Sequence, residues 1–122
     1  MQEQLQNKAF EALEDIEASL IVQLVADEKD EGKAKVKIAT SSSDPILGVL
    51  HRMYDAKKGD LATIMITGTV DVRAGEDLKA GDMVGPNGEG KAVKSESGTI
   101  GRVLYSTSKD SLAVITLNVQ KG

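Results

Sequence analysis

At 122 residues, with a formal net charge of −4 and neither cysteine nor tryptophan, the chain fits one domain that buries about two-thirds of its unfolded surface. The acidic balance argues against a nucleic-acid footprint, because the densest basic cluster, Lys33, Lys35 and Lys37, alternates with apolar residues as on one face of a strand. Without cysteine there are no disulfides or thiolate metal sites, and without an apolar run of about eighteen residues the expectation is a soluble protein with no signal peptide or membrane span.

The first ten residues are polar, yet Leu5, Ala9, Ala12, Leu13, Ile16 and Leu20 recur at steps of three and four. That spacing predicts an amphipathic helix over residues 1–18, a helical arm ahead of a β-rich domain over 19–122. A helix this short is marginal alone and must dock. It can pack on its own domain, or it can be donated to a partner through Leu5, Phe10, Leu13 and Ile16.

From Ser19 the pattern becomes β. SLIVQLVADE, the charged turn DEKDEG and KAKVKIATS read as a hairpin with one wet face. The acidic turn lacks the spacing and closing glutamate of a twelve-residue calcium loop, so it reads as solvated. Pro45 opens ILGVLHRM, a Lys-Lys-Gly-Asp turn precedes LATIMITGTVDV, and AVKS, TIGRVLYS and SLAVITLNV close the chain. Short strands between glycine turns predict a small barrel or sandwich.

GPNGEGKA, residues 85–92, comes close to the phosphate loop G-x-x-x-x-G-K-[ST]. The magnesium-binding hydroxyl is replaced by Ala92, and the following VKSESGTIG has no helical period. The segment therefore reads as a hairpin turn around Asn87-Gly88. A second regularity is an internal echo. ILGVLHRMYDAKKGDLATIMITG and TIGRVLYSTSKDSLAVITLNV align with Gly48 and Gly101 53 positions apart, and Leu61-Ala62 and Leu112-Ala113 51 apart. Two related hairpins would pair to cover their apolar faces.

Chemistry finds little foothold. His51 is the sole histidine, no G-x-S-x-G elbow surrounds any serine, and Glu76, Asp77 and Asp82 fall in a turn-rich stretch. The expectation is a non-enzyme without cofactor or metal. Only Phe10, Tyr54 and Tyr105 are aromatic, which leaves a thin aliphatic core that oligomer or partner contacts would supplement.

The layout over residues 45–119, with Gly48, Gly59, Gly68, Gly81-Asp82, Gly90-Lys91-Ala92-Val93 and Ile100-Gly101-Arg102-Val103, resembles the small capsid decoration (cement) proteins of tailed bacteriophages, similar in plan to the lambda head-stabilising protein. The resemblance implies a mainly β fold, a small barrel or "tulip", and a homotrimer on the outer face of the virion capsid. It further implies contact with the major capsid protein, assembly in the host cytoplasm, no nucleic acid or membrane partner, and no catalysis. The competing class is a non-enzymatic β-barrel binding module of a cellular protein.

Overall fold

The computed structural model describes residues 7–27, 33–41, 45–96 and 100–118. The first half contains β1 (Asn7–Glu11), β2 (Ile21–Asp27), β3 (Lys33–Ile38), β4 (Ile46–Leu50) and β5 (Leu61–Met65). The second contains β6 (Thr67–Arg73), β7 (Met83–Pro86), β8 (Ala92–Lys94), β9 (Gly101–Val103) and β10 (Leu112–Asn118). They form two antiparallel sheets, ordered β1-β5-β4-β2-β3 and β6-β10-β9-β7-β8. Adding five to each label of the first order gives the second. The molecule is therefore a tandem repeat, residues 7–66 followed by 67–118, and the echo read in the sequence extends over both halves.

Among the described residues the predicted N-terminal helix is absent, and residues 1–6 lie outside them. Asn7–Glu11 is a strand instead, paired antiparallel with β5 in the register Phe10↔Ala62, Glu11↔Leu61. The apolar spacing misleads because Phe10 and Ala12 also satisfy a period of two, and a ladder partner overrides modest helix propensity. The expected barrel is likewise open. Each sheet curls until its edges nearly meet, joined by single parallel bridges, Ala12↔Val36 and Ala74↔Ala92, without closing. In the first repeat the ion pair of Glu11 with buried Lys35, 3.3 Å, spans the same gap. The two expected hairpins are present, β2 with β3 and β7 with β8; the acidic turn at 28–32 lies outside the described residues.

The repeats agree bond for bond. Ala12 N–H donates to Asp60 O and Ala74 N–H to Ser111 O, both at 2.9 Å. Ile16 and Ala56 exchange backbone bonds at 2.8 and 2.9 Å, as do Leu78 and Thr107. Between the first two strands of each unit, Glu-Asp-Ile (14–16) and Glu-Asp-Leu (76–78) do the same work. Asp15 accepts from Lys58 N–H and Asp77 from Lys109 N–H, both at 2.9 Å, while Glu14 accepts from Ile38 N–H and Glu76 from Lys94 N–H at 2.9 and 2.7 Å. The carboxylates satisfy two loop donors, Lys58 and Lys109, and two strand-end donors, Ile38 and Lys94. Left-handed backbone also recurs in place, at Ser19 (φ 68°) and Gly81 (97°), and at Gly59 (91°) and Asp110 (70°).

Repeat 1 has a core of Ala12, Ile16, Leu20, Val22, Val36, Leu50, Ala56, Ala62 and Ile64. The second core is not confined to its own repeat. Ile21, Ala39 and Val49, from the outer face of sheet 1, belong to the same cluster as Val70, Val72, Val84, Ile100, Ile115 and Leu117, with Ile46 and Met65 packed against it. The β7–β8 turn reaches back across this seam. Ile21 N–H donates to Gly90 O at 2.8 Å, and Arg73 N–H donates to Ser19 O at 2.9 Å. The segment that mimics a phosphate loop is thus a hairpin tip that joins the repeats.

Gly90 combines φ +79° with a site where a Cβ would lie 2.9 Å from Ile38 Cγ2 and 3.1 Å from Ile21 O. Gly90→Ala is expected to cost about 2 kcal/mol, conformational strain plus the seam contact. Gly59→Ala and Gly81→Ala share the positive φ but meet nothing within 4 Å, so each should cost about 1 kcal/mol. Urea midpoints of the three variants measure the difference.

Candidate docking surface

Most carboxylates near the loops are committed to the backbone. Asp55 accepts from Ala18 N–H at 2.8 Å, Asp60 from Lys57 N–H at 3.0 Å, and Asp82 from Lys79 N–H at 2.8 Å. Among the described residues no three or more histidine, aspartate or glutamate side chains gather as metal ligands. His51 is half-buried and accepts from Met53 N–H through Nδ1 at 3.1 Å, turning the loop after β4. Such an arrangement orders turns.

What the surface does offer is apolar. Tyr54 is 71% exposed and Leu61 75%, with Met53 beside them; Tyr105 is 66% exposed and Leu112 43%, with Leu104 beside them. Two pairs, Tyr54/Tyr105 and Leu61/Leu112, each lie 51 positions apart, the spacing that relates β5 to β10; Leu104 instead matches His51, since His51 N–H donates to Thr63 O as Leu104 N–H does to Val114 O. Both tyrosines of the chain thus occupy one structural position twice, uncovered both times. Isolated exposed apolar residues are ordinary, but the same exposed Tyr and Leu positions in two repeats of an aromatic-poor chain make this the candidate docking surface. In repeat 1 the tyrosine borders a cleft of 340 Å³ lined by Leu50, His51, Asp55, Asp60 and Leu61. A smaller cavity of 170 Å³ lies at the seam, where Arg52 pairs with Asp71 at 3.1 Å.

No protein-family model matches the chain, and no curated protein sequence matches it. Among solved structures it is similar to the gp8.5 N base of the head fibre in bacteriophage phi29, with a TM-score of 0.68 at 17% identity, over 95% of this chain and 98% of that one. The two share a fold. Coverage of 95% of this chain is more than either repeat alone spans, so the likeness extends across both repeats.

The residues singled out at the N-terminus are dispersed by that fold. Ile16 is 1% exposed and belongs to the repeat 1 core. Phe10 is half-buried and packs against that core, Leu13 is half-buried in the loop after β1, and Leu5 lies outside the described residues. The three described residues do not share one exposed apolar stripe. Both tyrosines lie inside the two segments of the internal echo, at the same spacing as the Leu-Ala pairs, but only their shared exposure in the fold sets them apart.

Proposed function

We propose that the protein is a structural component of a tailed-phage head, bound to the capsid exterior and in contact with the major capsid protein. The observation that carries the reading is the duplicated five-stranded fold, shared over nearly the full length of both chains with a phage head-fibre base. The duplicated Tyr/Leu clusters support it. A shell offers the same feature many times over, and a chain that presents the same anchor twice gains avidity from modest contacts. In this reading the protein acts as a homotrimer, stabilises the shell as decoration proteins do, and has no catalytic role.

Co-sedimentation with the cognate heads tests this reading. Purified protein is expected to pellet with expanded heads, Tyr54→Ala and Tyr105→Ala each to weaken binding about tenfold, and the double variant to lose it at micromolar concentration. Failure to bind heads, together with a small ligand retained through purification, would instead support a cellular binding module.

A further inference from the structure

The seam between the repeats is heterologous: the surface that repeat 1 contributes is not the surface that repeat 2 contributes. Repeat 1 gives the outer face of its sheet, Ile21, Val49 and Met65. Repeat 2 gives the Val70 and Leu117 end of its cluster and the Gly90 tip. The packing between the two repeats therefore uses one surface of each kind and leaves its counterpart on the other repeat out of the seam.

Both open surfaces are identified by the repeat equivalence. Phe10, Leu47 and Ile66 stand where repeat 2 has Val72, Ile100 and Leu117. In repeat 2 those positions are sealed, at 0%, 0% and 3% exposure, in the cluster that includes the outer face of repeat 1. In repeat 1 the three counterparts are apolar and only half-buried, packed from one side against the repeat 1 core. At the other end, the outer face of sheet 2 carries Met83, Arg102 and Thr116 in place of Ile21, Val49 and Met65, and all three are exposed.

We infer that these two surfaces join copies of the chain head to tail, the Phe10–Leu47–Ile66 end of one copy seated on the Met83–Arg102–Thr116 face of the next. The occupant is a second copy because the contact continues the packing already present inside each chain. Its chemistry is matched but weaker than the internal seam. Met83 and the aliphatic stem of Arg102, whose guanidinium donates to Gly81 O at 2.8 Å, supply apolar surface, and a guanidinium beside Phe10 is a favourable pairing. Polar residues where the seam has valine and methionine keep the free face soluble and make the contact reversible. The inference rests on the proposed homotrimer and names its contact, which yields a trimer when the head-to-tail ring closes after three copies; it concerns the purified chain alone, so it and capsid binding can fail separately.

A mixing experiment by sedimentation velocity decides it. Phe10→Arg sets a like charge against Arg102 and breaks one surface, while Met83→Arg breaks the other; Leu47→Arg and Thr116→Arg repeat the test at neighbouring positions. Wild-type protein is expected to assemble with concentration. Each single variant alone should remain monomeric, its self-association weakened at least tenfold. An equimolar mixture of Phe10→Arg and Met83→Arg should form dimers and stop there, because each pair retains one intact contact and no more. That dimer also shows that both variants fold. A monomeric wild type, variants that assemble like wild type, or a mixture that stays monomeric would each overturn the inference.

Discussion

Gly48→Ala and Gly101→Ala are each expected to destabilise the protein by about 3 kcal/mol or more, and by similar amounts. A methyl group on Gly48 would overlap Met65 O, and one on Gly101 would overlap Thr116 O; both obstacles are backbone carbonyls of the neighbouring strand. A flexible side chain could swing aside, whereas a carbonyl moves only with its strand and would take the β4–β5 or β9–β10 pairing with it. Neither glycine has positive φ, so the requirement is space rather than backbone conformation. Met65 and Thr116 lie 51 positions apart and the glycines 53, which makes these one contact built twice. Urea denaturation followed by circular dichroism measures both losses. A cost near zero at either glycine would show that the strands separate there without penalty, and that the close approach does not hold the sheet.

This pair also shows where the sequence was legible. Gly48 and Gly101, with the Leu-Ala starts of β5 and β10, survive in both repeats because a side chain is intolerable at one position and only a small buried residue fits at the other: Ala62 and Ala113 are 3% and 0% exposed. The upstream halves kept their fixed points too. Glu14-Asp15-Ile16 and Glu76-Asp77-Leu78 lie 62 positions apart, each holding loop donors. They escaped notice for a physical reason. In repeat 2 the segment is spaced by Gly75 and Gly81, and reads as turns; in repeat 1 those places hold Leu13 and Ser19, and the stretch acquires a helical period by accident. Ser19 nonetheless takes the left-handed conformation of its counterpart Gly81, so the fold imposed the turn on a residue that does not favour it. The β2–β3 hairpin illustrates the opposite case. Its alternation and β-branched content predict both strands, yet the face is not uniform: Val36 is buried and Ile38 half-buried, while Ala34 is exposed and Lys35 is buried in its ion pair with Glu11. The docking surface was the least legible, since an exposed tyrosine carries no local signal until its equivalence with a second one is known.

Ile64→Ala and Ile115→Ala, at equivalent positions on β5 and β10, are each expected to cost about 3 kcal/mol, since both side chains are 0% exposed and a cavity in an aliphatic core collapses only partly. The more telling expectation concerns cooperativity. Ile64 lies in the cluster built from repeat 1 alone, whereas Ile115 lies in the cluster that holds repeat 2 together and also buries Ile21, Ala39 and Val49 of repeat 1. If repeat 2 unfolded by itself, the outer face of sheet 1 would meet water. If repeat 1 unfolded by itself, Val70 and the Gly90 turn would lose their cover. Burial of three such aliphatic side chains is worth several kcal/mol, by about 25 cal/mol per Å² of apolar surface, which is a large share of the stability of a chain this size. Neither half is therefore an independent folding unit, and both variants should unfold in one urea transition with the wild-type slope. Two resolved transitions in Ile64→Ala, with repeat 2 persisting after repeat 1 is lost, would instead show that the seam contributes little and that the repeats are separate domains joined at Ile66.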